Sequence, residues 1–190
     1  MQPFKSSLTL YIGPMFSGKT SKLMHDLETF SSIGLNVLYV NSDIDVRSEE
    51  EYSTHNKIKI LSSKIKFIKT SKLADIDVST YDAIGVDEAG FFNDLEVIIN
   101  WVDKLCKIVL VSGLDGNYKR KPFGKTLDLI PYADKVVKFN AYCLECIKNG
   151  SLRAAPFTYR KDENDKEILV GGNDKYLSLC RFHYLKFSKS

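Results

Sequence analysis

The run Gly13-Pro14-Met15-Phe16-Ser17-Gly18-Lys19-Thr20 fills every fixed position of G-x-x-x-x-G-K-[ST] and lies between a strand-like segment, Leu8 to Ile12, and a helix-like one. No other feature constrains the fold as tightly. The glycines let the backbone turn so that amide N–H groups converge on phosphate oxygens, and the following helix adds its positive end. Lys19 is placed to neutralise the outer phosphates, and the Thr20 hydroxyl to hold Mg²⁺. A nucleotide-binding α/β protein is the expectation.

The rest of the first 140 residues agrees. Residues 8–12, 36–40, 82–86 and 107–111 are short apolar runs, as buried parallel strands are. Leu23, Leu27 and Phe30 share one helical face that Gly34 closes, and Leu95, Ile98, Ile99, Val102 and Leu105 repeat likewise. Strands alternating with helices imply a parallel sheet covered on both faces. Between 41 and 80 the pattern is weaker: KIKIL and IKFIK read as an edge hairpin, and the charged stretch from Ser42 as a loop. At 190 residues the chain has room for one main domain and a small appended lobe. The composition, 44% hydrophobic and 27% charged with a net charge of +3, is that of an ordinary globule that handles anions. It is not basic enough to indicate nucleic acid by itself. No apolar run reaches membrane-spanning length and the start lacks a signal-peptide pattern, so the expectation is an intracellular, cytoplasmic protein without a membrane partner.

A nucleotide pocket needs a second metal anchor at the end of a neighbouring buried strand. Asp87 follows residues 83–86 directly and should emerge at the carboxyl edge of the sheet. Alternation along the strand points the adjacent Glu88 elsewhere, making it the candidate general base. After residue 141 the composition changes. Cys143 and Cys146 form C-x-x-C, while Cys180 and His183 form C-x-x-H; together they supply four ligands for a closed, structural zinc that pins the ends of a long loop. Cys106 reads as a buried apolar residue. The expected division is a P-loop domain over 1–141 and a zinc-binding lobe over 142–190.

The set GPMFSGKT, DEAGFF, GLDGNYKRKPFG, CLEC, FTYR and VGGNDKYLSLCRFHY resembles the cytosolic, zinc-containing family of thymidine kinases, in order and over almost the whole chain. The resemblance implies a RecA-like P-loop α/β domain with a small zinc lobe, a homotetramer, and transfer of the γ-phosphoryl group of ATP to the 5′-hydroxyl of thymidine. It also implies feedback by thymidine triphosphate. Carried onto this chain, it gives Gly13 to Thr20 the triphosphate, Asp87 the Mg²⁺ and Glu88 the 5′-hydroxyl proton. Asp45 and Arg47 match a D-x-R pair near the phosphates. Met15, Phe91, Leu114 and Tyr118 correspond to residues around the nucleoside. Glu167, Ile168, Leu169, Val170 and Gly171, with Tyr176, match a lasso that closes over the base, where glycine permits close backbone approach.

Two positions depart from the family pattern. Gly90 stands where glutamine is usual, so a polar contact beside Glu88 is lost or replaced. His183 stands where a fourth cysteine is usual, and imidazole is a competent zinc ligand. The competing reading is a zinc-containing, nucleic-acid-binding ATPase in which Lys119, Arg120, Lys121 and Lys125 contact phosphates. No further basic cluster with interleaved aromatics extends that footprint, so no nucleic-acid partner is expected. A nucleotide sensor without catalysis is a third reading, against which the retention of Glu88 stands. Among the other histidines, His25 lies in the first helix and His55 in the charged loop.

Overall fold

The computed structural model describes residues 6–44, 65–161 and 171–189. Asp45, Arg47, His55, KIKIL and Glu167 to Val170 lie outside those residues. Six strands form one parallel sheet: β1 (Ser7–Gly13), β2 (Val37–Ser42), β3 (Ile65–Thr70), β4 (Ala83–Val86), β5 (Ile108–Leu114) and β6 (Lys135–Lys138), in the spatial order β3-β2-β4-β5-β1-β6. All six residues of β2 and all four of β4 are buried, which is why β4 and the first four residues of β2 are apolar rather than alternating; Asn41 and Ser42, also buried, end β2. IKFIK, read from sequence as one arm of a hairpin, is instead β3, an edge strand parallel to β2. β6 escaped the sequence reading because an edge strand exposes most of its residues, so KVVK lacks an apolar run. Asp134 prepares its pairing, accepting the Leu8 N–H at 2.8 Å while its own N–H donates to the Leu8 carbonyl.

α1 (Lys19–Ser32) covers one face of the sheet. Its side chains Leu23, Met24 and Leu27 pack on Tyr11, Val37, Tyr39, Ala83 and Leu110. Gly34, at φ 94°, closes it as expected. α2 (Val97–Asp103) covers the other face through Ile98, Trp101 and Val102, with Leu95 beside it. This helix is shorter than the periodicity indicates. The amides of Lys104 and Leu105 both return to the Asn100 carbonyl and Cys106 takes φ 54°, so the chain swings into β5 one turn early. Leu105 is therefore 51% exposed, and Cys106 is exposed rather than a core residue.

After residue 140 the elements are small: β7 (Ala141–Tyr142) pairs with β8 (Ala154–Ala155), α3 (Leu144–Lys148) lies between them, and β9 (Phe157–Arg160) pairs with β10 (Tyr176–Leu179) ahead of α4 (Arg181–Phe187). Their core is separate, built from Ala141, Cys143, Cys146, Ala155, Leu179, Cys180 and Tyr184. No helix among the described residues is long and apolar enough to cross a membrane.

The contact between α1 and the sheet has no slack. A Cβ on Gly85 of β4 would meet the Leu27 side chain at 2.4 Å. Leu27→Ala should cost about 2–5 kcal/mol and Gly85→Ala about 1–3 kcal/mol in urea unfolding. The double variant should cost less than the sum, because the alanine methyl enters the space that Leu27 leaves.

Candidate active site and metal cluster

The carboxyl edge of the sheet gathers the polar residues singled out in the sequence. β1 runs straight into the loop Gly13–Thr20. Gly13 has φ 148°, and a Cβ there would lie 2.5 Å from the Phe139 carbonyl oxygen, so only glycine lets β1 leave the sheet beside β6. Phe16 and Gly18 take positive φ, curling the loop around the buried Lys19. The Lys19 ammonium donates to the Pro14 carbonyl at 2.7 Å and approaches the Ser17 Oγ at 3.4 Å. Thr20, in the first turn of α1, donates its hydroxyl to Asp87 Oδ1 at 3.2 Å.

Asp87 is held from three sides. Its Oδ1 also accepts the Glu88 N–H at 2.9 Å, and its Oδ2 accepts the Tyr39 hydroxyl at 2.9 Å. The Tyr39 ring stacks on Phe67, with centroids 5.5 Å apart, so β2 and β3 together fix this donor. Sequence reading missed Tyr39 because it looks like any aromatic residue in a buried strand.

Glu88 lies beside Asp87, but not by strand alternation. Its backbone is left-handed, φ 50° and ψ 42°, and its carbonyl accepts the Phe91 N–H in the 3₁₀ turn Ala89–Phe91. A non-glycine residue in that region costs of order 1 kcal/mol, and such strain concentrates at functional sites. Gly90 has a physical reason within this structure. A Cβ there would lie 2.3 Å from Phe123 Cδ1, and one on Gly124 would lie 2.2 Å from the Gly90 carbonyl oxygen. The Phe123 ring occupies the space next to residue 90 and packs edge-on against Phe91, centroids 5.5 Å apart. Phe123, unmarked in the sequence except by the neighbouring glycine, thus joins the apolar wall.

Of the residues expected around a nucleoside, Met15, Tyr118 and Tyr176 are linked through the β9–β10 hairpin. The Arg160 guanidinium lies 3.7 Å from the Tyr118 ring centroid, and Arg160 is the cross-strand partner of Tyr176. Desolvation opposes ionisation of Tyr118, yet the hydrogen bonds and charges of Arg160 and Lys119 outweigh it and hold the phenol below its ordinary range. The Tyr184 hydroxyl donates to the Tyr118 carbonyl at 2.6 Å. Met15 is buried against the same hairpin, Leu114 ends β5, and Gly171 precedes β10. A cavity of about 340 Å³ opens nearby, lined by Asp115, Asn117, Arg120, Lys138, Phe157 and Thr158 among others. None of Met15, Phe91, Leu114, Tyr118 and Tyr176 lines it.

Behind the hairpin, Cys143, Cys146, Cys180 and His183 bring their ligand atoms within 4.8 Å of one another. His183 Nδ1 lies 3.4 Å from each of the three sulfurs, and Cys146 Sγ lies 3.8 Å from Cys180 Sγ. Tetrahedral zinc with ordinary bond lengths has S–S edges of about 3.8 Å and S–N edges of about 3.6 Å, so the donor set fits. Burial works against ionisation of Cys143, but the Cys180 and Cys146 amides, with His183 and the Cys146 thiol, bring it down to about 6. Cys146 is pushed up to about 11 by burial and by the other two thiols. Like charges compete here, and a dication relieves the competition.

The fold and site define a class: a P-loop α/β nucleotide-binding protein carrying a Cys₃His metal cluster. A family model described as thymidine kinase matches residues 6–184. The chain is 39% identical over 187 residues to a thymidine kinase of Oryza sativa subsp. japonica, covering 96% of this chain and 67% of that protein. It is 33% identical over 180 residues to the thymidine kinase of Vaccinia virus (strain Western Reserve), covering 94% and 96% respectively. To the cytosolic thymidine kinase of Homo sapiens it is 33% identical over 184 residues, covering 96% and 74%. The chain belongs to the thymidine kinase family.

Two variants probe this geometry. Tyr39→Phe leaves a buried carboxylate oxygen without its donor and should lower stability by about 1.5–3 kcal/mol in urea unfolding. Cys143→Ser should take bound zinc well below that of the unaltered chain, read by elemental analysis after dialysis.

Proposed function

We propose that this chain is a thymidine kinase that transfers the γ-phosphoryl group of ATP to the 5′-hydroxyl of thymidine, giving thymidine monophosphate and ADP. The observation that carries the reading is the grouping of a P-loop, the Thr20–Asp87 pair and the strained Glu88 at one sheet edge, in a chain of this family. The amides of Gly13 to Thr20 and the Lys19 ammonium bind the triphosphate. Thr20 and Asp87 are the residues that would hold Mg²⁺, which would neutralise charge on the phosphates.

Glu88 accepts the proton of the 5′-hydroxyl as that oxygen attacks the γ-phosphorus and the bond to the β-γ bridging oxygen breaks. Arg47, paired in sequence with Asp45, offsets charge on the moving phosphoryl group. Met15, Phe91, Leu114, Tyr118, Tyr176 and Phe123 wall the nucleoside. The main chain of Glu167 to Gly171 reads the edge of thymine. Cys143, Cys146, Cys180 and His183 are the residues that would hold a structural zinc, which would anchor both ends of the segment that carries Glu167 to Gly171. Within the same proposal the chain divides near residue 141, works in the cytoplasm as a homotetramer, and is inhibited by thymidine triphosphate competing for the site.

The test is transfer of labelled γ-phosphate from Mg·ATP to thymidine. Glu88→Gln should keep ATP binding while kcat falls by about a hundredfold or more. Unchanged turnover in that variant would remove Glu88 as the base. Failure with thymidine, together with ATP hydrolysis stimulated by single-stranded DNA, would replace the kinase reading with the ATPase.

A further inference from the structure

The β9–β10 hairpin has two faces with different partners. Phe157, Tyr159, Leu177 and Leu179 pack into the core around the cysteine and histidine cluster. The alternate residues Thr158, Arg160, Tyr176 and Ser178 are all buried, and they point away from that core. Thr158 and Ser178 are cross-strand partners. The Met15 N–H donates to Thr158 Oγ1 at 3.0 Å, and the Ser178 hydroxyl donates to the Met15 carbonyl at 3.0 Å. Both polar backbone groups of one P-loop residue are thus held by two hydroxyls that come from far along the chain, 143 and 163 residues away.

This contact differs from ordinary packing in kind. The loop Gly13–Thr20 carries strained backbone at Phe16, φ 61°, one residue after the clamped peptide. A phosphate cradle works only while its amides stay aimed at one point, and a loop of this curvature keeps that aim when its peptides are fixed from outside. Within the loop Ser17 Oγ and Lys19 Nζ both donate to the Pro14 carbonyl, and at its end Thr20 reaches Asp87. Met15 is where the β9–β10 hairpin takes hold.

We propose that Thr158 and Ser178 are positioning residues of the phosphate cradle, so that the cradle is completed by the hairpin of the small lobe and not by its own loop alone. Removing the two hydroxyls loosens the Met15 peptide and weakens ATP binding, while the residues at the reacting oxygen stay in place. The proposal rests on the reading of Gly13 to Thr20 as an ATP site.

The experiment uses the full zinc-loaded chain and compares Thr158→Val, Ser178→Ala, their double variant and the conservative Thr158→Ser. ATP affinity is read by titration with a fluorescent ATP analogue in the presence of Mg²⁺, alongside the KM for ATP, kcat, zinc content and unfolding midpoint. Each single variant should weaken ATP binding about fivefold and the double variant at least about tenfold, with kcat changed by less than about threefold. Thr158→Ser, which keeps the acceptor, should bind ATP within about twofold of the unaltered chain. A double variant whose ATP affinity stays within about twofold, whatever its unfolding midpoint, overturns the proposal and leaves the nucleotide reading standing. Should Thr158→Val not fold, Ser178→Ala alone decides by the same criterion. An unaltered chain that binds no ATP overturns both.

Discussion

The arrangement depends on how β1 is built into the sheet. It is paired along its length with β5 on one side and with β6 on the other, so its carboxyl end cannot shift without breaking two ladders. Because the neighbours are parallel, the strands at the centre of the sheet deliver their ends to the same edge. Gly13, Asp87 and Leu114 therefore arrive together although they are far apart in sequence. The close approach of Gly13 to the Phe139 carbonyl makes the exit of β1 a fixed point. From it the loop, α1 and the Thr20–Asp87 contact follow.

The second structural commitment is the use of one short hairpin for two purposes. Its residues on one side are held by a core that includes the three cysteines of the Cys₃His cluster, and its other side grips Met15 and Tyr118. Arg120 adds to this by lying over the Tyr184 ring at 4.6 Å, so the loop after β5 is tied to α4 next to His183. A Cys₃His cluster whose four donors converge on one point thus lies directly behind the hairpin that holds the P-loop.

What the sequence disclosed, and what it withheld, follows from the range of the interactions. The P-loop, the strand ending at Asp87 and the four metal ligands are local patterns: each requires particular residue types at fixed short spacings, and each is where the pattern put it. Thr158, Ser178 and Tyr39 reach residues 143, 163 and 48 positions away through side-chain hydroxyls, and a hydroxyl in a strand carries no mark of its partner. Cys106 sits in an apolar stretch that reads as buried, but the helix stops at Asp103 and the left-handed backbone of Cys106 itself turns it into solvent. Glu88 stands next to Asp87, but its direction comes from a turn of the same left-handed kind and not from the pleat that strand alternation assumes. Phe123 comes into view only through the glycine that its ring requires at position 90.

The strict alternation in Phe157–Arg160 and Tyr176–Leu179 carries a consequence for how such a chain can diverge. Inserting or deleting one residue inside either strand would exchange its two sides, turning hydroxyls toward the metal core and aromatic rings toward the phosphate loop. Within this hairpin the connection between Arg160 and Tyr176 is where residues can be gained or lost without reversing the strands. A change of length there leaves the two hydroxyls on Met15 and the aromatic rings on the cysteine and histidine cluster, so the hairpin keeps both of its contacts whatever the size of its connection.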